Sequence, residues 1–462
     1  MFEATLSIDL GASYTKVAYR SACIPTQVRP ADQEAKILMF DNSPLIPSLA
    51  IRTRNVGQPW IFGRQAALMN PDGGMQVFQN WKADLFRSNN DKDSATAVII
   101  AHRFFEWLRS RLEDMGIDVR QCQTRVAMPA FDTFDENAVL LARCMDLSGW
   151  DNPTLILKVK EPHANTLGLF AGGRNRISLN GEGLLQPDYG RMWGQDNVYI
   201  RAARGSTLFD THGNLLTVMI VDIGAFTTDL AALTFDVTAS ADGMSAIRQK
   251  SHELGVINQL DRPLFASLGE RHNFAWSDLQ FDEAESCKKK LYQGQPSTLL
   301  TRVDGQSVQL ELGGAEDLDL IETKAGQFAT TIWEKIEAFA ADSQPSRVFL
   351  TGGGSLIQPV TESLKNSLAA RQMRVGVVTQ GDAAEETGDR RSWNKTGEGL
   401  QRLATALGGA SVVLQEAAVC HPSPTPRQPL VTGLRTGHVT CRCQGGNKDC
   451  CFCGGRGFVF RA

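Results

Sequence analysis

Asp9-Leu10-Gly11-Ala12-Ser13-Tyr14-Thr15-Lys16 is the stretch on which the fold turns. An alternating run leads into it. Phe2, Ala4, Leu6, Ile8 and Leu10 interleave with Glu3, Thr5, Ser7 and Asp9, which is the period-two pattern of a strand. Gly11 permits a tight turn and a second strand resumes over Lys16 to Arg20, so the segment predicts a β-hairpin with a carboxylate near the end of its first strand. The same design recurs. Asp222-Ile223-Gly224-Ala225-Phe226-Thr227-Thr228-Asp229 follows the continuous apolar run from Leu215, a strand of the kind buried on both faces. Thr351-Gly352-Gly353-Gly354-Ser355 follows a strand over Arg347 to Thr351, and then Leu356, Val360, Leu364 and Leu368 repeat at helical spacing.

Phosphate binding is the chemistry these turns suit. Glycine lets backbone N–H groups approach an anion, and Ser or Thr hydroxyls add donors. A carboxylate at a strand end repels phosphate but holds Mg²⁺ through water, the usual way that ion meets protein carboxylates. Asp9 and Asp222 on two separate hairpins would clamp one Mg²⁺–nucleotide between two lobes. The third turn, which opens a helix, suits the α-phosphate or nucleoside. Each turn alone is an ordinary Asp-x-Gly or Gly-rich turn; the ordered set of three, each after a strand, is far more specific.

Other stretches give the coarse architecture. Ala97, Ala101, Phe104, Leu108 and Leu112 mark a helix over 95–113, and Thr124 to Met128 a short strand closed by Pro129. Residues 282–292 run from acidic to basic, which suits a helix dipole. Phe328, Ile332, Ile336 and Phe339 mark a helix over 328–340.

With these segments in place, the chain resembles the actin, hexokinase and heat-shock protein 70 superfamily, and within it the heat-shock protein 70 nucleotide-binding domain most closely. The order of segments carries the resemblance: Ile46-Pro47-Ser48, Ile61-Phe62-Gly63-Arg64, Val77-Phe78 with Lys82, Val126-Ala127-Met128-Pro129-Ala130-Phe131, Glu161-Pro162-His163-Ala164-Asn165, Gly255 through Asp261, and Glu285-Ser286-Cys287-Lys288-Lys289. It covers about residues 1–412. It implies an α/β, two-lobed actin-like ATPase fold with duplicated ribonuclease H-like lobes. It also implies ATP or ADP with Mg²⁺ as ligands. In that scheme Asp9 and Asp222 hold the Mg²⁺ water shell. Gly11, Ala12, Ser13, Tyr14, Gly224 and Thr228 line the phosphates. Lys82 and Glu161 position the attacking water and γ-phosphate, Thr227 touches the γ-phosphate, and Asp229 supports the water. Glu285, Lys288 and Lys289 contact the nucleoside, with Gly352, Gly353, Gly354 and Ser355 beneath the α-phosphate.

Four positions depart from the family pattern. Ala225 and Phe226 replace glycines of the second turn, which predicts a narrowed phosphate approach. Leu356 and Lys289 stand where the family has arginines, and neither offers a planar guanidinium to stack on a base. Weaker adenine specificity is expected.

Composition fits a globular chain. The 462 residues carry 47 Lys and Arg against 51 Asp and Glu, and 42 % are hydrophobic, so neither a disordered chain nor a strong global field for nucleic acid or membrane is expected. No apolar run is long enough to span a bilayer, and Glu3, Asp9 and Lys16 interrupt any signal-peptide pattern, so a cytoplasmic location is expected.

The domain reading is as follows. Residues 1–414 form the nucleotide-binding unit, with one lobe over about 1–214 and 355–414, including an irregular insertion at 172–214, and the other over about 215–354. A proline-rich linker occupies 415–437, with four prolines between His421 and Pro429. A cysteine-rich tail follows over 438–462. Cys441, Cys443, Cys450 and Cys453 are its best tetrahedral Zn²⁺ set, with Cys451 or His438 as substitutes. The tail resembles one half of the zinc module of J-proteins, the co-chaperones of heat-shock protein 70, which implies co-chaperone-like contacts. About 40 residues cannot make the peptide-binding sandwich of a refolding chaperone. The tail is basic but offers only Phe452, Phe458 and Phe460 for stacking, so nucleic acid is not the expected partner.

The leading expectation is a slow ATP-hydrolysing switch acting with a partner protein. An actin-like filament former and a non-catalytic adaptor with a degenerate pocket stand as alternatives. A small-molecule kinase is less favoured, because no sugar-binding signature is present.

Overall fold

A computed structural model describes residues 4–21, 35–53, 60–69, 74–86, 91–150, 157–171, 177–179, 185–187, 215–236, 244–275, 281–303, 306–343, 345, 347–371, 374–377, 399–410, 438–440 and 458–460. These residues form a mixed α/β fold organised around two mixed sheets.

The first sheet begins with the expected hairpin, β1 (Ala4–Leu10) and β2 (Tyr14–Ser21), in which Asp9 pairs with Lys16. β3 (Lys36–Ile37) and β4 (Ile46–Pro47) both pair with β2. A small separate sheet follows, made of β5 (Ala50–Thr53), β6 (Ile61–Phe62) and β7 (Met75–Phe78). β8 (Cys122–Met128) and β9 (Leu157–Lys160) then complete the first sheet, giving the order β3-β2-β1-β8-β9. β1 is antiparallel to β2 and parallel to β8, and β8 is parallel to β9. Within the segment expected as an insertion, only a hairpin of β10 (Ile177–Leu179) and β11 (Leu185–Pro187) lies among the described residues.

The second sheet repeats this plan. β12 (Leu215–Ile223), β13 (Thr228–Asp236) and β14 (Met244–His252) are successively antiparallel. β15 (Ser297–Val303) and β16 (Gln306–Leu312) form a side hairpin, and β17 (Arg347–Thr351) and β18 (Arg374–Val377) add in parallel. The order β14-β13-β12-β17-β18 matches the first sheet strand for strand, polarity included. The match extends to register. Asp9 and Asp222 are each the penultimate residue of the central strand, and each pairs with the residue seven positions on, Lys16 in one hairpin and Asp229 in the other. Both Asp-led stretches thus occupy equivalent places in two equivalent sheets.

Each sheet owns a core. Leu6, Ile8, Leu10 and Val17 pack with Phe104, Phe105 and Leu108 of a helix over Asp91–Asp114. Val221, Ile223 and Leu230 pack with Phe328, Ile332 and Ile336 of a helix over Ala315–Ser343. Each fully buried side chain of this size contributes about 1.5–3 kcal/mol through the apolar area it removes from water. Both helices run beyond the spans that periodicity suggested.

One boundary differs from expectation. The segment after Gly354 was expected with the first sheet, yet Val360, Leu364 and Leu368 of the helix Gln358–Ala370 pack into the second core, and β18 extends the second sheet. The return to the first sheet is made later, by the helix Leu400–Gly409, which packs on the helix Glu161–Ala171 and on β1, β2 and β8. The physical reason is that a parallel strand needs a crossover, and the helix Gln358–Ala370 is the crossover from β17 to β18. Arg20 from β2 and Arg125 from β8 donate to the carbonyls of Ala410 and Gly409, satisfying the C-terminal end of the returning helix.

The cysteines of the tail and the linker at 415–437 lie outside the described residues. His438 sits in β19 (His438–Thr440), where it pairs with Phe460 of β20 (Phe458–Phe460). Among the described residues, no helix is long and apolar enough to cross a membrane.

Candidate functional site

The ends of the two hairpins meet at one cleft of about 490 Å³. Eight elements line it: the two hairpin turns, the start of the helix Glu161–Ala171, the short helix Trp81–Phe86, the π-helical turn Ile257–Asp261, the helix Phe281–Tyr292, the Gly352 turn and the helix Leu400–Gly409. The third turn reaches the second hairpin because Gly352 has φ +83, and a side chain there would meet Asp222 Oδ1 at 2.1 Å. Gly11 is equally constrained, since a Cβ would fall 2.1 Å from the Tyr14 carbonyl oxygen.

Carboxylates dominate the floor. Asp9 accepts from Lys16 Nζ at 2.8 Å. Glu161 accepts from Lys82 Nζ at 2.5 Å, and the Lys82 side chain is only 3 % exposed. Glu161 is also the first residue of its helix, where the dipole favours negative charge. Asn165, one turn further on the same helix face, donates to Asp222 Oδ2 at 2.7 Å and reaches Thr405 at 3.2 Å. Asp229 accepts from the hydroxyls of Thr227 and Ser251, and Ser251 in turn accepts from the backbone N–H of Ala130 at 2.6 Å.

This concentration of buried negative charge shifts the acids upward. Burial, and then the neighbouring Asp9, push Asp222 up to about 7. Burial and the facing Asp222 push Asp229 up to about 7, against the hydrogen bonds from Ser251 and Thr227. Burial likewise raises Glu161, although Lys82 opposes the shift. The floor is therefore short of positive charge, and its acids titrate where a general base is most useful.

The far wall is a polar chain between the two sheets. Tyr14 donates to Glu285 at 3.5 Å and meets Phe281 edge to face at 5.9 Å. Lys288 bridges Glu285 and Asp261, the latter at 2.8 Å, and Tyr292 donates to Asp261 at 2.5 Å. Burial alone would lower the Lys288 pKa, but Asp261 and Glu285 outweigh it and raise it. The guanidinium of Arg402 lies over the Tyr14 ring, 5.2 Å from its centroid.

Most of the residues singled out in the sequence gather here. Asp9, Gly11, Ala12, Ser13, Tyr14, Lys82, Glu161, Asp222, Gly224, Thr227, Asp229, Glu285, Lys288, Lys289, Gly352, Gly353 and Gly354 all line the cleft. Thr228 and Ser355 do not. Thr228 donates to the Leu254 carbonyl, and Ser355 to the Gly352 carbonyl at 2.8 Å, so both brace their turns from behind. Phe226 is buried against the first core with its ring edge-on to Phe131 at 6.1 Å, and it lines the cleft together with Ala225. Leu356 is half-exposed at the rim and not on the buried helix face its spacing suggested.

Lys16, Gln401, Arg402 and Thr405 line the cleft without a role in the sequence reading. A signal existed for Lys16, because hairpin register places it opposite Asp9. No comparable signal marks Gln401 or Arg402, single residues on a helix with an otherwise apolar pattern. Among the described residues, no three His, Cys, Asp or Glu side chains converge as direct ligands for a metal. No protein-family model matches the chain, and no curated protein matches it significantly.

Proposed function

We propose that the chain is a magnesium-dependent ATP-binding protein of the actin, hexokinase and heat-shock protein 70 type, a slow ATP-hydrolysing switch with two lobes closing on one nucleotide. One observation carries this reading: two sheets of identical order and polarity present equivalent aspartates, Asp9 and Asp222, to a single cleft that also holds the Lys82–Glu161 pair. Two carboxylates at facing hairpin ends are the number with which hydrated Mg²⁺ is ordinarily held beside a phosphate ligand. Gly11 and Gly352 let the hairpin turn and the third turn close tightly, with the Tyr14 carbonyl and the Asp222 carboxylate in the space a side chain would take, which brings the three turns to one cleft.

Bound nucleotide supplies the phosphoanhydride bond to be broken. The protein's own residues then do four things. Asp9 and Asp222 hold the water shell of Mg²⁺. Lys82, and Lys16 on moving away from Asp9, offset phosphate charge. Thr227 donates toward the terminal phosphate. Asp229 or Glu161 takes the proton from the attacking water, which a carboxylate titrating near neutrality does efficiently. Cys441, Cys443, Cys450 and Cys453 would hold Zn²⁺, and the tail so ordered would report lobe closure to a partner protein.

The test is ATP binding and phosphate release by wild type and by the Asp9→Asn, Asp222→Asn double variant. Binding by the wild type, with release slowed about a hundredfold or more in the variant, is the expected result. A wild type that neither binds nor hydrolyses ATP refutes the switch. Binding without turnover favours the adaptor, and ATP-dependent sedimentation favours the filament former. Metal analysis of protein purified reduced and free of chelator is expected to give about one zinc per chain; a content far below that removes the zinc assignment.

A further inference from the structure

The helix Leu400–Gly409 opens into the cleft, and half-buried Arg402 in its first turn lines the cleft wall. That turn carries no acidic residue, although the helix dipole is positive there. The dipole disfavours a cation at this end. Arg402 therefore adds positive charge where the backbone already attracts anions.

Arg402 also stands between two glycine turns that come from different sheets. One residue before it, the Gln401 carbonyl accepts from the Gly352 backbone N–H at 3.1 Å and from the Thr351 hydroxyl at 3.2 Å. Those bonds fix the third turn beside the helix start. On the other side, the Arg402 guanidinium lies over the Tyr14 ring of the first hairpin turn, 5.2 Å from its centroid. The ring itself is held, by the hydroxyl contact to Glu285 at 3.5 Å and by the edge of Phe281 at 5.9 Å. A cation–π contact does not consume the N–H fork of a guanidinium, and that fork matches phosphate oxygens bidentately.

The buried lysines of the cleft are placed elsewhere. Lys16 and Lys82 lie at the floor with Asp9 and Glu161, and Lys288 lies in the far wall with Asp261. We propose that Arg402 grips the α-phosphate of the bound nucleotide through its guanidinium fork, with Tyr14 as the platform that orients it. The inference rests on the nucleotide reading of the cleft. It supplies from the returning helix the planar cation that positions 289 and 356 lack.

Calorimetry and ligand-observed NMR on the full chain with Mg²⁺ test it, with ATP and AMP as probes. AMP carries the α-phosphate alone. Arg402→Ala is expected to weaken ATP about 10–100-fold and AMP by the same factor. Arg402→Lys keeps the charge without the fork and is expected to recover little of that loss. Tyr14→Leu removes the platform and is expected to weaken both probes. ATP bound by Arg402→Ala as tightly as by the wild type overturns the inference and leaves the nucleotide reading standing. So does a loss confined to ATP, full recovery in Arg402→Lys, or a wild type that binds ATP but not AMP. A wild type that binds neither probe overturns the nucleotide reading, and the inference falls with it.

Discussion

Asp229→Asn should make the nucleotide-free protein more stable, and more so as pH rises. Asp229 is buried, faces Asp222, and is pushed from an ordinary carboxylate up to about 7. A carboxyl raised in the folded state favours folding while it holds its proton, and that contribution is lost as pH climbs from the unfolded pKa to the folded one. Between about pH 5.5 and pH 7 the wild type therefore loses stability with a slope of about 1.36 kcal/mol per pH unit from this group alone, or about 2 kcal/mol, and little more by pH 8. Asparagine does not titrate. It fills the same volume, and its Nδ2 and Oδ1 both find partners, because the Thr227 and Ser251 hydroxyls donate or accept. Thermal unfolding of both proteins, free of Mg²⁺ and nucleotide, reads the difference. The advantage of the variant should grow by roughly 2 kcal/mol, a few degrees in Tm, between about pH 5.5 and pH 8. A variant destabilised equally at both pH values would falsify the claim that the cleft floor carries uncompensated negative charge. ATP turnover by the same variant should fall, which separates a functional acid from a structural one.

Two further outcomes follow from the packing. Lys82→Met strands the Glu161 carboxylate without its partner and should cost about 3–5 kcal/mol near pH 8, most of it recovered when Glu161→Gln is added; simple additivity in urea unfolding would refute the pair. Gly408→Ala places a methyl 1.8 Å from the Ala164 carbonyl oxygen and should cost about 3 kcal/mol or more, whereas Gly314→Ala, with open space at its Cβ, should be near neutral by the same thermal assay.

Much of the site was legible because it lies on hairpins. An alternating run before Asp9 and a continuous apolar run before Asp222 each end in Asp-x-Gly, and hairpin register then puts the two aspartates at equivalent ends of their sheets. What failed was reading across a turn. The spacing of Leu356, Val360, Leu364 and Leu368 suggested one helical face, but Pro359 sits in the first turn of a helix that starts at Gln358, and Leu356 is left in the preceding 3₁₀ turn at the rim. The second sheet was cut short at Gly354 for a related reason. A triple glycine resembles a boundary, and a four-residue strand such as Arg374–Val377 gives little periodicity to set against it. Arg402 and Gln401 were invisible because their importance comes from which elements the helix passes, a property of the assembled chain.

The helix Leu400–Gly409 is gripped at both ends by different partners. At its start, the Gln401 carbonyl accepts from the backbone of Gly352 and from the Thr351 hydroxyl, both beside the second sheet. At its finish, two arginines of the first sheet hold Ala410 and Gly409. Between them it touches the helix Glu161–Ala171 closely at Gly168 against Ala404 and at Gly408 against Ala164, with the Asn165–Thr405 hydrogen bond between the two helices. Such a member ties the glycine turn of one sheet to the strand ends of the other. A tilt imposed at the glycine turn beneath a ligand would be delivered ten residues away, at the point where the proline segment and the cysteines are attached.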